Sequence, residues 1–454
     1  MRTRYWLLAI VLAHLALGLV FAGITPYGTP GVVLGKTLTD IGAPDERAHV
    51  AYVASLASGN GLPVLRVQRP ADSYEYHQPP LFYLLAAGWS KVLGVSDVGA
   101  RSAGLPIRSL DVLFGCCTVV GAFFIPWWGL KRRDVGLCAA SICALLPMQC
   151  AISGAVSNDP LLIALSTWVV AACARVAVRG WDAKWAVLIG LLTGLAFLTK
   201  SSALAIAPVI FAAWWVAPDR VKSGRWPWVA LGVAVLVALP WWWRNAALYG
   251  DPLGFMMFTK VFKPDVHPGL AFKSLHSFGR WLFYLTQLSS QSFVGRIGYM
   301  HILLPACVYA AVWAVLGWLG YRWARAMRDR DWGGGRQMHV VCMVAVGAVF
   351  LAYLAFNIEY VQPQVRYCFP ALASIAVGLA IGLVDWLKSR AAVGAAVLAV
   401  GLLAVDGCLV TSARATFKQN IAEYAVVQAA QARHPKSGAA SGGPPSRPRA
   451  EPHR

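Results

Sequence analysis

Residues 109–133 read SLDVLFGCCTVVGAFFIPWWGLKRR, a predominantly apolar stretch over 109–130 closed by the cations Lys131, Arg132 and Arg133. A helix needs about 20 such residues to cross the hydrocarbon core of a bilayer. Comparable stretches lie near 5–23, 135–153, 160–178, 185–199, 202–217, 226–243, 300–321, 338–356, 367–387 and 391–411, so about eleven spans are expected. Lipid offers the backbone no hydrogen-bond partners, which restricts crossings to helices or a closed barrel, and long runs without alternation exclude the barrel. Composition agrees: 58% of the 454 residues are hydrophobic and 13% charged, with mean hydropathy +0.57, against about 25% charged in ordinary domains. The chain reads as an all-α, polytopic transmembrane bundle. Residues 5–23 are longer than the apolar core of a secretory signal (about 7–15 residues) and are read as a retained first span.

The formal charge of +20 is not the footprint of a nucleic-acid binder, because the cations fall in short clusters between spans. Alternate connections carry Arg2/Arg4, Lys131–Arg133, Arg175/Arg179/Lys184, Arg220/Lys222/Arg225, Arg322/Arg325/Arg328/Arg330 and Lys388/Arg390. The positive-inside rule makes these connections cytoplasmic. The other set faces outward: 24–108, the turn at Ser157-Asn158-Asp159, the turn near Lys200, 244–299 and 357–366. Residues 1–411 then form the membrane module, with 24–108 and 244–299 as its large outer loops. Residues 412–454 are a tail, Pro/Gly/Ser/Arg-rich and expected to be disordered from about 434. The ten cysteines lie almost all in apolar runs without a C-x-x-C pair, so neither a disulfide framework nor a cysteine zinc site is expected.

Acids beside hydrocarbon are costly and mark functional sites by default. Asp45 and Glu46 follow the first span, in a stretch (45–58) that reads as a helix after Pro44. Its first-turn acids suit the helix dipole, and Asp45 and His49 share one face. The run Tyr74-Glu75-Tyr76-His77-Gln78-Pro79-Pro80 leads into a second juxtamembrane helix, LFYLLAAGW. Asp45 is the candidate general base, with Glu46 or His49 orienting it, and Tyr76, His77 and Gln78 are candidate substrate contacts. Imidazole and carboxylate also suit a divalent ion. No cofactor is called for with certainty, but a divalent metal ion on Glu75, His77 and His49 is carried as an alternative. Asp159 is a second outward acid. Lys200, Arg244 (with Asn245) and Arg366 (with Tyr367) are outward cations, and a phosphate at headgroup level suits such a set.

The ordered motifs are Pro44-Asp45-Glu46-x-x-His49, Gln78-Pro79-Pro80-Leu81-Phe82-Tyr83, Asn158-Asp159-Pro160, Gly194–Lys200, Pro240–Asn245 and Arg366-Tyr367-x-x-Pro370. Together they resemble the GT-C superfamily of polytopic glycosyltransferases, in the style of the lipid A aminoarabinose transferases and protein O-mannosyltransferases. The resemblance covers most of residues 40–370. It implies a polyprenyl-phosphate-linked sugar donor, a cell-envelope acceptor and an inverting hexosyl or pentosyl transfer. It also implies a location in a bacterial inner membrane with the site facing the periplasm. It puts Asp45 at the first-loop catalytic acid and Asp159 at the second-loop acid. Lys200 matches a span-end lysine, and Arg366-Tyr367 the late polar-x-Tyr-x-x-Pro element. The chain departs from the aminoarabinose transferases at Gln78, where they have a lysine before Pro-Pro, and at His49, where a tyrosine is usual. A transporter or flippase of an anionic lipid-linked sugar, or a glycan polymerase or ligase, is the alternative.

Overall fold

A computed structural model describes residues 2–68, 72–262, 278–328, 335–360 and 362–433. The helices are α1 (Arg2–Ile24), α2 (Glu46–Ala57), α3 (Leu81–Val92), α4 (Gly104–Leu130), α5 (Arg133–Leu145), α6 (Pro147–Ser153), α7 (Asp159–Arg179) and α8 (Ala183–Phe197). They continue as α9 (Pro208–Trp215), α10 (Trp226–Tyr249), α11 (Phe255–Phe262), α12 (Phe278–Val294), α13 (Ala306–Arg328), α14 (Arg336–Glu359), α15 (Leu372–Leu387) and α16 (Ala391–Arg433). An antiparallel hairpin, β1 (Gly31–Val33) with β2 (Lys36–Leu38), is added to the expected all-α bundle.

Among the described residues six helical stretches are long and apolar enough to cross a bilayer, and seven if the bent α5–α6 pair counts as one crossing. The expected count of about eleven also included 185–199 (α8), 202–217 and 300–321 (α13), and it took 367–387 and 391–411 separately, where the structure has the separate helices α15 and α16. At 15 residues, α8 is about 22 Å long, short of a core about 30 Å thick. Helix α16 runs on past the expected span end at 411 to Arg433. Its buried Ala413 and Phe417 lie beyond that point, where the helix packs on β1. The tail from 434 and part of the 244–299 loop (263–277) lie outside the described residues.

The α5–α6 bend of 63° follows from Pro147, which has no N–H to donate and disfavours helical geometry at the residue before it. Leu146 is accordingly extended, with ψ 117°. The break frees the Ala144 carbonyl. It accepts from Cys150 Sγ at 3.1 Å and faces His14 Nδ1, buried on α1, at 2.8 Å. Past α6, Gly154 passes so close to α1 that a Cβ there would lie 2.7 Å from the Ala22 nitrogen. The bend thus delivers the 154–158 turn to the mouth of α1.

That mouth is closed by one buried ion pair. Arg108, at the start of α4, is 1% exposed and Glu46 is not exposed at all. Arg108 Nε and Nη2 donate to the two Glu46 oxygens at 2.8 and 2.5 Å. Its remaining N–H groups donate to the carbonyls of Ala22, Thr25 and Pro26 at 2.7, 2.7 and 2.9 Å. The Ala22 carbonyl lies in the last turn of α1, where a helix leaves acceptors without intrahelical partners, and those of Thr25 and Pro26 follow just beyond it. Glu46 Oε1 also accepts from the Val156 N–H at 2.8 Å.

Contacts between connections separate into two groups, as the charge pattern requires. At one end Trp181 N–H donates to Asp219 (3.1 Å), and Arg322 pairs with Asp385 (2.7 Å). At the other, Asn158 donates to Gln78 (3.4 Å), and Arg366 pairs with Asp45 (2.7 Å). The bundle therefore has one end rich in paired acids and another carrying most of the cationic clusters. Removing one partner of a buried ion pair strands the other, at a cost of about 3–5 kcal/mol. Glu46→Ala is expected to lose stability on that scale in equilibrium unfolding of detergent-solubilised protein; a loss under about 1 kcal/mol would contradict the central place given to this pair.

Candidate active site

Asp45 precedes α2 in the left-handed region, φ 64° and ψ −9°, a conformation that costs a non-glycine residue on the order of 1–2 kcal/mol. Its side chain makes no capping bond to α2. The carboxylate turns instead toward the late 365–371 turn: Arg366 Nη2 donates to Oδ2 at 2.7 Å, and the Tyr74 hydroxyl donates to Oδ1 at 3.2 Å. Arg366 Nη1 lies 3.8 Å from Asp159 Oδ2, and Asp159 Oδ1 accepts from Lys200 Nζ at 2.5 Å. The result is a chain of alternating charge, Asp45–Arg366–Asp159–Lys200, drawn from four separate connections. The Tyr367 ring backs both cations, 5.2 Å from the Arg366 guanidinium and 5.4 Å from Lys200 Nζ. Both distances are within cation–π range.

Exposure differs along this chain. Asp45 is 36% exposed, whereas Asp159 and Arg366 are 5% and 10%. Asp45 is therefore the acid a substrate can reach. Desolvation favours its protonated form, but the Arg366 guanidinium, with His49 and Tyr74 behind it, outweighs that and holds the carboxyl below its usual range. Burial likewise disfavours the Lys200 ammonium, and Asp159 with Tyr367 reverses this, keeping it charged beyond the ordinary lysine range. Asp159 Oδ2 and Arg366 Nε are buried without hydrogen-bond partners.

His49, on α2, meets the Tyr83 hydroxyl through Nδ1 at 2.8 Å and stacks on that ring. Burial pushes its pKa down. Tyr83 in turn stacks on Tyr52, which meets Tyr76 edge to face. Burial pushes Glu75 up, and its Oε2 has no hydrogen-bond partner. His77 Nδ1 is turned onto the Tyr74 carbonyl at 2.7 Å, and desolvation takes this imidazole down to about 4. Gln78 bridges to Asn158, tying the first connection to the α7 start.

Three expectations need correction. Glu46 does not stand beside Asp45 as a second reachable acid: both its oxygens are buried and engaged by Arg108 and Val156. Arg244 and Asn245 do not join the charge chain. Arg244 donates to the carbonyls of Leu62 and Pro63 (3.3 and 2.7 Å) and packs over Trp241, and Asn245 donates to Pro252. Finally, no group of three His, Cys, Asp or Glu side chains suited to a metal is found among the described residues. His49, Glu75 and His77 are therefore not gathered around one point as a ligand set.

Two residues were missed from sequence. Tyr74 touches the reachable acid, and only its place in a Tyr-Glu-Tyr-His run hinted at that. Arg108 carried a clearer signal, as a cation at the head of an otherwise apolar helix. The placement of Arg244 makes a prediction: Arg244→Ala should increase proteolysis between residues 59 and 66, read by limited digestion and mass spectrometry. Unchanged digestion there would sink the bracing role.

Residues 77–243, less than half of the chain, match the family model described as dolichyl-phosphate-mannose-protein mannosyltransferase. No curated protein matches in sequence. Among solved structures, the oligosaccharyltransferase of Archaeoglobus fulgidus, crystallised with a tethered acceptor peptide, superposes with TM-score 0.57 at 14% identity, over 90% of this chain and 55% of its own. ArnT of Cupriavidus metallidurans in the apo state gives TM-score 0.54 at 14% identity, over 87% of this chain and 63% of its own. The same ArnT bound to undecaprenyl phosphate gives 0.50 at 14%, over 94% and 79%. The chain thus spans about half the length of the oligosaccharyltransferase it resembles. The protein has the fold of the GT-C glycosyltransferases, the superfamily its ordered motifs resemble.

Proposed function

We propose that this protein transfers a sugar, hexose or pentose, from a polyprenyl-phosphate donor to a cell-envelope acceptor, at the periplasmic face of a bacterial inner membrane. The observation that carries the reading is one cluster holding a reachable carboxylate, Asp45, and two cations, Lys200 and Arg366, at the end of an apolar bundle. ArnT has been crystallised with undecaprenyl phosphate, and an Archaeoglobus fulgidus oligosaccharyltransferase has been solved in complex with a dolichol-phosphate, which supports a lipid phosphate as the anion for these cations.

In this reading Lys200 and Arg366 receive the charge that develops on the phosphate leaving group, in a site where preorganised charges act strongly. Asp45 takes the proton of the acceptor hydroxyl as its oxygen attacks the anomeric carbon. The carbon–oxygen bond to phosphate breaks on the opposite side, its electron pair stays on the phosphate, and the anomeric configuration inverts. Tyr74 orients the base and Asp159 holds Lys200 in place. Transporters usually place their charges near the bilayer midplane in broken helices; here the charge chain lies where connections converge, which favours the enzyme.

Asp45→Asn is expected to lower kcat by about 10²–10⁴, the usual worth of a general base, in protein that still inserts and folds. An assay in lipid nanodiscs with synthetic donor reads this, and full activity would remove the base assignment. Lys200→Ala is expected to raise the donor KM on the order of tenfold or more, as loss of a charge-assisted bond requires. An unchanged donor dependence would leave the phosphate contact without support.

A further inference from the structure

Every charge in the chain Asp45–Arg366–Asp159–Lys200 has a partner within that chain. An incoming phosphodiester adds one more anion, yet Arg244, the remaining outward cation expected to meet it, is engaged on Leu62 and Pro63. Within this chain of charges the donor is matched by drawing Lys200 or Arg366 off a carboxylate. Arg366 is the less firmly held of the two, since its second link, to Asp159, is 3.8 Å and its Nε is buried without a partner. The contact it must give up is the 2.7 Å bond to Asp45. A carboxylate held by a guanidinium and a tyrosine hydroxyl is a poor proton acceptor, because both interactions favour the charged form.

We propose that Arg366 is a clamp on Asp45: it holds the carboxylate while the site is empty and moves onto the donor's phosphate when that binds, so that Asp45 becomes an effective base only on a protein already carrying donor. The inference rests on reading the site as one for a lipid phosphate. It makes Arg366 a positioning residue for the base as well as a phosphate ligand, and it makes the reaction ordered, donor before acceptor. Ionisable groups that interact with Asp45 include His49 from α2, Tyr74 and Glu75 from the 74–77 turn, Tyr83 from α3 and Tyr299, while Lys200 lies one carboxylate further along the chain. Burial disfavours the charged form of His49, and Arg366 is the cation bonded to Asp45, so its departure is the change that exposes the base.

The sign follows directly. Loss of a cation raises the pH at which Asp45 protonates, because an opposite charge at this range lowers a carboxyl pKa by about 1–3. The test uses full-length protein in nanodiscs, sugarless polyprenyl phosphate as probe, and a carbodiimide that attacks protonated carboxyls. Modification of Asp45 is followed across pH by peptide mass spectrometry. With lipid bound, the half-modification pH of wild-type Asp45 should rise by about one or more. Arg366→Gln should show the raised value without lipid and no further rise with it. Initial-rate kinetics should show ordered addition with donor first. An unshifted Asp45 in wild type with lipid demonstrably retained overturns the clamp while leaving the phosphate site standing, and that arm needs no variant to fold. Failure of radiolabelled polyprenyl phosphate to bind overturns both. Random-order kinetics also overturns the clamp.

Discussion

Taking a carboxylate and a guanidinium out of water costs several kcal/mol per ion, which mutual attraction repays only if the remaining polar atoms are also satisfied. Glu46 and Arg108 meet that condition: all five N–H groups of the arginine have acceptors, and Glu46 takes an additional backbone N–H from Val156. The acceptors come from the end of α1 and the start of α2, and the extra donor from the turn after α6. One ion pair therefore fixes where three connections leave the bundle. Asp45 is the next residue to Glu46, and Asp159 lies three beyond Val156, so both site acids take their positions from a node that no substrate touches.

Adjacent acids with opposite roles are explained by backbone geometry. The left-handed Asp45 rotates its side chain away from the α2 axis, while Glu46 enters the helix and points into the bundle. Composition and spacing treat the two carboxylates alike. Only the direction of each side chain, set by one φ angle and by Arg108 more than sixty residues later, separates the reachable acid from the structural one.

The bundle was legible because its signal is long and redundant: runs of apolar residues punctuated by cations give the class, and sort the connections into two sets, without any tertiary knowledge. Span number is less legible, since α8 and the 201–215 stretch are apolar but short, although α8 runs from the Trp181–Asp219 end of the bundle to Lys200 at the other. In the site, Asp45, Asp159, Lys200 and Arg366 were identified as charges at the same ends of successive spans, and the structure brings them together. Arg244 fit the same rule and was misassigned, because backbone carbonyls at 62 and 63 compete for a guanidinium and leave no trace in a side-chain pattern.

The bend between α5 and α6 is the remaining constraint on the site. A straight span there would carry residues 154–158 away from α1, and Val156 would not reach Glu46. Pro147 makes the bend, but a broken helix inside a bilayer leaves carbonyls that lipid cannot satisfy. His14 and Cys150 meet the Ala144 carbonyl, which explains a fully buried histidine in the middle of α1 (0% exposed). That histidine neither touches the charge chain nor shares a connection with it. Its contribution is to make the bend tolerable in an apolar medium, and through the bend to let the turn that begins α7 present Asp159 to Lys200 and Arg366.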